Sequence, residues 1–341
     1  MRTLPALLAS CLLLLLATAC AEAERGAPAG GPAADAPATL TVYSGRKESL
    51  VGPILARFTE ATGLDVAVRY AGTPELASTL LAEGTAADAD VFYAQESGYL
   101  QALAQADLLA PVPEALLARV APVYRSPTGH WVGVSGRARV LVVDPALPEE
   151  LRPDSLRDLA DPRYEGLLGW APANGSFQAH VSALRHLWGE DETRAWLRGV
   201  KANDPTRFEN NSSQVRAVAD GVIRIGLVNH YYLYKLGLQG EADNLPLPTP
   251  GDGGNVMMVS GIGVLAHSER QDAARELLAF MLSDEAQRMF ARDNFEYPAV
   301  EDVAAHADVP PLGERQLAPV DQTALTDIGP TLDLLRDLEL E

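Results

Sequence analysis

Between Thr39 and Tyr93 the hydrophobic period of the chain changes with each short segment, and that alternation limits the folds open to it. Thr39-Leu40-Thr41-Val42-Tyr43 alternates and is rich in β-formers, so it reads as a strand. Ser44-Gly45 turns the chain, and Leu50 to Ala61 then carries apolar residues at helical spacing. Leu64 to Tyr70 reads as a second strand, Leu76 to Glu83 as a second helix and Asp90 to Tyr93 as a third strand. Strand, helix, strand, helix, strand in that order predicts a parallel sheet wound with right-handed crossovers.

The rest of the chain keeps to the same vocabulary. A helix ends near Asp107, and Leu108-Leu109-Ala110-Pro111 leads the chain out of it. Trp131 to Asp144 is extended. The turn Ala173-Asn174-Gly175 precedes a helix over Ser176 to Leu187, followed by a helix over Glu190 to Lys201. Gln214 to Asp220 is a short helix, Ile223 to Val228 a buried strand, and Ala273 to Met289 one long amphipathic helix. No internal repeat is present. At 341 residues the chain exceeds the roughly 100–200 residues of one domain, which predicts two α/β lobes.

A formal net charge of -19 without a Lys/Arg cluster excludes nucleic acid as a partner and an electrostatic grip on anionic lipid. An acidic surface confers solubility and a modest attraction for cations. The N-terminus is a separate unit. Arg2 precedes an apolar run from Leu4 to Ala19, too short for the roughly 20 residues of a membrane span, which reads as a secretion signal over residues 1–19. The run ends in Leu16-Ala17-Thr18-Ala19-Cys20, which resembles the lipobox of bacterial lipoproteins, with Ala17 where leucine is usual. Cys20 is the expected lipidation site, and plain secretion is the alternative. Cys11 leaves with the signal, so the mature chain has no disulfide. Residues 20–38 are mostly Ala, Gly, Pro and acid, the composition of a flexible linker.

The remaining motifs carry a resemblance. Leu40-Thr41-Val42-Tyr43-Ser44-Gly45-Arg46, Ala89-Asp90-Val91-Phe92-Tyr93 and Gly136-Arg137-Ala138-Arg139-Val140 come first. Asn174-Gly175-Ser176-Phe177, Asn229-His230-Tyr231-Tyr232 and Phe295-Glu296-Tyr297-Pro298 follow. In this order, from Leu40 to Val300, they resemble the periplasmic ferric-iron-binding proteins, the substrate-binding subunits of iron(III) ABC transporters. The resemblance implies the type II periplasmic-binding-protein fold, with the ligand cleft between two lobes joined by a hinge that closes on ligand. It implies an N-terminal lobe of residues 39–137 plus 262–310 and a C-terminal lobe of 138–261 plus 311–341. Partners would be the permease and ATPase subunits of an ABC importer. The protein would be a monomer in the periplasm or at the cell surface, held to the membrane by its lipid.

Tyr231 and Tyr232 are the metal ligands that the resemblance implies, and their chemistry fits. Ferric ion is small, hard and trivalent and prefers anionic oxygen. Free phenol has a pKa of about 10, and a strong metal charge drives its proton off. Adjacent residues on one strand point to opposite faces. The pair is therefore expected just past the strand Ile223–Val228, where the backbone turns. Tyr234 has the wrong offset and reads as structural, as does His230 beside the pair.

Two phenolates do not fill a ferric shell. The family completes it with other protein ligands and a synergistic anion, carbonate or phosphate. Asn174, Gly175 and Ser176 stand before a helix, whose N-terminus favours an anion, although a simple helix cap explains the same residues. Arg137 offers a fork of donors for an oxyanion, with an interlobe salt bridge as the alternative. Asn211 and Asn229 match family asparagines near the anion. Lys47 stands where many relatives have a histidine ligand, Gln95 where some have a carboxylate (with Glu96 beside it), and Phe177 where others have a third tyrosine. Arg46 and Lys47 near the site imply more than one anion.

Other functions have less support. No HExxH, HxxxH, G-x-G-x-x-G, Walker loop or G-x-S-x-G is present, and Val259-Ser260-Gly261-Ile262-Gly263 lacks the spacing of a nucleophile elbow. An enzyme is therefore not expected. A binding protein of the same fold for another solute, an oxyanion or a small organic ligand, stays open.

Overall fold

The computed structural model describes residues 39–341 except 250, 312–316, 319, 321–324, 326–327 and 341. The signal, Cys20 and the linker lie outside the described residues. The chain builds one ten-stranded mixed sheet. In chain order the strands are β1 (Leu40–Ser44), β2 (Val66–Tyr70), β3 (Val91–Ala94), β4 (Val132–Val143) and β5 (Leu168–Trp170). They continue with β6 (Thr206–Arg207), β7 (Ile225–Asn229), β8 (Asp243–Leu245), β9 (Met257–Val264) and β10 (Tyr297–Pro298).

The expected parallel unit is present: β1 lies between β2 and β3 and is parallel to both. The helices between these strands, Glu48–Thr62 and Thr73–Glu83, bury Leu50, Val51, Ile54, Leu55, Phe58, Leu76, Ala77 and Leu80, the apolar positions of the helical period. Gly45 has to be glycine for space, since a Cβ there would stand 2.0 Å from Thr73 Oγ1.

Two features were not legible. β9 inserts antiparallel between β3 and β4, so the sheet is mixed. The stretch 257–264 is Met-Met-Val-Ser-Gly-Ile-Gly-Val, too uniformly apolar to alternate because both of its faces are buried. The expected single helix over Ala273–Met289 is two helices, Gln271–Met281 and Asp284–Asn294. The break is at Ser283, whose side chain accepts from the Ala286 N–H at 3.2 Å and caps the second helix. Phe280 of the first packs edge-on against Phe58 at 5.5 Å, which ties this late segment back to the first helix of the chain.

β4 is shared by the two halves of the sheet. Its first part, to Ala138, pairs with β9, and its second part, Arg139–Val143, pairs with β7. Leu141–Val143 also pairs with β8. β5 and β6 extend the second half in parallel with β7. Side chains alternate across β4: Val140 and Val142 join the large core that includes the β1–β3 layer, and Leu141 and Val143 join a second core. That second core holds Trp170, Phe177, Trp196 and Leu197, and Leu334, Leu335, Leu338 and Leu340 from and just beyond helix Gly329–Asp337. Each such leucine contributes on the order of 1.5–3 kcal/mol on burial.

Candidate metal and anion site

β7 ends at Asn229, and helix Tyr231–Leu236 begins two residues later. His230 sets the reversal between them. Its Nδ1 accepts the Ala138 N–H at 3.1 Å, and its Nε2 faces the Phe295 carbonyl oxygen at 2.8 Å. A backbone N–H only donates and a carbonyl only accepts, so the ring is neutral with its proton on Nε2. Both nitrogens are occupied by backbone, which makes His230 the brace of the turn.

The turn folds the two tyrosines together. Their rings stack with centroids 4.3 Å apart and planes 29° apart. Tyr231 is buried and Tyr232 half-buried. Neither hydroxyl is hydrogen-bonded to another described residue. Burial, and then Tyr232, hold the Tyr231 phenol well above its usual 10, while Arg46 and Arg137 oppose that shift. Without a cation the phenol keeps its proton; a trivalent ion in contact has to displace it.

Around the pair lie buried guanidiniums. Arg46, just past β1, pairs with Glu296, and both side chains are fully buried. Burial alone would lower its basicity, but Glu296, Tyr93 and Tyr231 more than offset this. Its Nε and Nη1 have no hydrogen-bond partner among the described residues. Arg137 has its Nη1 on Ser260 Oγ and its Nη2 on the Gln95 carbonyl oxygen at 2.8 Å and on Glu96 Oε1 at 3.5 Å, leaving Nε without a partner among the described residues. The fork expected to serve an oxyanion is thus largely committed to protein acceptors, and its salt bridge is to Glu96.

The asparagines form a second, connected polar group. Asn174 caps helix Gly175–Trp188, its Oδ1 accepting the Ser176 N–H at 3.1 Å. The Gly175 N–H has no acceptor among the described residues. Asn211 Nδ2 donates to Asn174 Oδ1 at 3.2 Å, and Asn229 Nδ2 to Ser176 Oγ at 3.3 Å. Gln95 Nε2 reaches the same Ser176 Oγ at 3.4 Å and Glu96 Oε1 at 2.8 Å. Asn174, Ser176, Asn211 and Asn229 therefore form one network, and through Gln95 and Glu96 it runs on to Arg137.

Other expected positions lie elsewhere. Lys47 is exposed at the start of helix Glu48–Thr62. Phe177 is buried edge-on against Trp170 at 5.8 Å, in the second core. Tyr234 stacks on Phe295 at 5.6 Å. Among the described residues no group of three His, Cys, Asp or Glu side chains is placed to hold a metal.

Sequence reasoning passed over Arg139, Glu296 and Ser260. Arg139 is buried on β4, with Nη1 donating to Asn211 Oδ1 and Asn229 Oδ1, both at 3.0 Å, and Nη2 to the Leu227 carbonyl oxygen at 2.9 Å. A signal was present: Arg137 and Arg139 are two positions apart on an apolar extended segment, hence on one face.

Comparisons with known proteins place the chain in a family. Residues 88–322 match the family of bacterial extracellular solute-binding proteins. The Fe(3+)-binding periplasmic protein of Serratia marcescens is 35% identical over 326 residues, which cover 94% of this chain and 92% of that one. Iron-bound HitA from Pseudomonas aeruginosa superposes with a TM-score of 0.84 at 34% identity, over 89% of this chain and 99% of that one. A Trichodesmium protein in complex with iron and citrate ligands superposes with a TM-score of 0.77 at 25% identity, over 89% of this chain and all (100%) of that one. The chain belongs to the bacterial extracellular solute-binding proteins, with relatives named for binding ferric iron.

Proposed function

We propose that the protein captures ferric ion outside the cytoplasm and delivers it to the permease and ATPase subunits of an ABC importer. The observation that carries this reading is the stacked pair Tyr231 and Tyr232, whose hydroxyls have no hydrogen-bond partner among the described residues and stand beside buried guanidiniums. Phenolate suits ferric ion and suits magnesium or calcium poorly. The relatives' names point the same way.

The iron is held together with an oxyanion, carbonate or phosphate. Asn174, Gly175, Ser176, Asn211 and Asn229 supply its donors, and Arg137 and Arg46 add positive charge nearby. The citrate of the Trichodesmium relative is an oxyanion of the same chemical class. The lobes divide as residues 39–137 plus 262–310 and 138–261 plus 311–341, with β4 and β9 crossing between them. Cys20 carries the lipid anchor.

Ferric citrate added to the purified protein gives a visible tyrosinate-to-iron charge-transfer band at one iron per chain. A colourless protein overturns the reading. If such a protein still binds phosphate, the buried arginines serve a bare oxyanion as the transported solute, the second reading that they favour.

A further inference from the structure

Two buried asparagine amides, Asn211 and Asn229, have their orientation decided by one guanidinium. An amide offers an acceptor at one end and two N–H donors at the other, and its two ends have nearly the same shape. Which end faces a ligand decides whether that ligand is an anion or a cation. A guanidinium has donors only. Arg139 Nη1 contacts the Oδ1 of both Asn211 and Asn229 at 3.0 Å. Turning either amide over would set donor against donor in a fully buried place. The Asn229 N–H donates to Asn211 Oδ1 at 2.9 Å and locks that amide a second time. Each Nδ2 then faces the network of Asn174 and Ser176, donating once and keeping a second N–H without an acceptor among the described residues.

Arg139 also differs from its neighbours in charge. Arg46 has Glu296 and Arg137 has Glu96, whereas Arg139 has no carboxylate within ion-pair distance among the described residues. Its contacts are two amide oxygens and a backbone carbonyl. A buried charge without a counter-charge is costly, and one removed from water acts strongly on whatever enters next to it. An anion held by the two amides would supply that missing charge through one layer of hydrogen bonds.

We infer that Arg139 is the positioning residue of the anion subsite: it fixes Asn211 and Asn229 with their donors toward the cleft and supplies the unbalanced positive charge that makes the subsite take an oxyanion. The inference rests on the proposed ferric-plus-oxyanion reading and names the residue that imposes the anion.

The test is a ratio. Iron affinity of the full mature chain, stripped of anions, is measured by competition with a chelator, with and without inorganic phosphate, and again with bicarbonate. Two ligands sharing one site raise each other's affinity, so the wild type gains about tenfold or more from one of these anions. Arg139→Met removes every donor and the charge while keeping a stem of similar length, and the ratio falls to near one. Arg139→Lys keeps the charge and restores part of it. A general loosening of the fold would lower affinity with and without anion alike and leave the ratio intact. Asn229→Asp is near-isosteric and covers the case in which Arg139→Met does not fold: it gives Arg139 its counter-charge, turns an acceptor to the cleft and abolishes the gain. A wild-type ratio retained by Arg139→Met, or by Asn229→Asp where the first is unfolded, overturns the role of Arg139 alone. A wild-type ratio of one with both anions overturns the oxyanion reading beneath it, before any variant is made.

Discussion

Gln95 Nε2 and Ser176 Oγ meet at 3.4 Å although they belong to different halves of the sheet, Gln95 following β3 and Ser176 opening helix Gly175–Trp188. The bond joins the β3 end to the Asn229–Ser176 contact. It is long and partly exposed, so it contributes little stability, at most the ~1 kcal/mol of an ordinary hydrogen bond. Its position matters more than its strength.

Gln95→Glu places a carboxylate at this point. Glu96 Oε1 then loses the donor it has at 2.8 Å and gains a like charge as neighbour. A ferric ion on Tyr231 and Tyr232 gains a hard anionic oxygen in exchange. Without added anion the variant binds iron about tenfold more tightly, ~1.4 kcal/mol, and saturating phosphate shrinks the advantage because both compete for the same charge. Chelator competition with and without phosphate checks this; equal affinities under both conditions would mean that Gln95 does not face the metal.

Tyr231→Phe and Tyr232→Phe each remove one anionic oxygen and almost no volume. Each loses more than the ~10–100-fold that deletion of an outer-shell partner costs a metal site. The urea midpoint of the iron-free protein stays close to wild type. Wild-type iron affinity in both variants would falsify the tyrosine assignment.

Glu296→Gln leaves Arg46 charged and buried with its ion-pair partner gone. The expected loss is about 3 kcal/mol, the low end for breaking a buried pair, because the amide oxygen still accepts a hydrogen bond. Urea unfolding of the iron-free protein reads it. A change below ~0.5 kcal/mol, the scale of a surface substitution, would show that water reaches Arg46.

His180 gives the protein an acid limit. Its Nε2 lies 2.7 Å from the Gly253 carbonyl oxygen, and burial, then Arg139, lower its pKa from 6.5 to about 3. The folded pKa lies below the unfolded one, so the neutral ring's stability is present above pH 6.5 and lost as pH falls toward 3. The loss is up to ~1.4 kcal/mol per pH unit inside that window. His180→Gln flattens the pH dependence of the unfolding midpoint between those limits. An equally steep dependence in the variant assigns the acid limit to other groups.

Cys20→Ser moves the mature protein from the membrane fraction to the soluble fraction, since the lipid is its proposed anchor. Fractionation and the mass of the mature N-terminus decide. A wild-type protein that is soluble and begins elsewhere than Cys20 rules out lipidation.

The strand and helix positions of residues 39–93 follow from local period, and the structure differs from that reading by only a few residues at each end. Ser283 shows where local reading stops. Its capping signal is one residue long, and the apolar stripe running on both sides of it outweighs it in any period count. β9 was missed for the opposite reason: buried on both faces, it has no alternation to detect. The site divides in the same way. Tyr231-Tyr232 and Asn174-Gly175-Ser176 stand out as candidates in the sequence because each is a contiguous motif with its own chemistry, and Arg137 because it is a cation within an apolar extended segment. What each arginine does is not. Arg46 meets a carboxylate 250 positions away, Arg137 meets the one following Gln95, and Arg139 meets, among the described residues, amide and carbonyl oxygens. Before folding, each is a cation on or beside a β-strand. Folding removes all of them from water, and only the pairing of β4 with β7 and β9, together with the docking of the Glu296 segment, decides which cation is neutralised. The one left without a carboxylate is set by long-range packing, which no local pattern encodes.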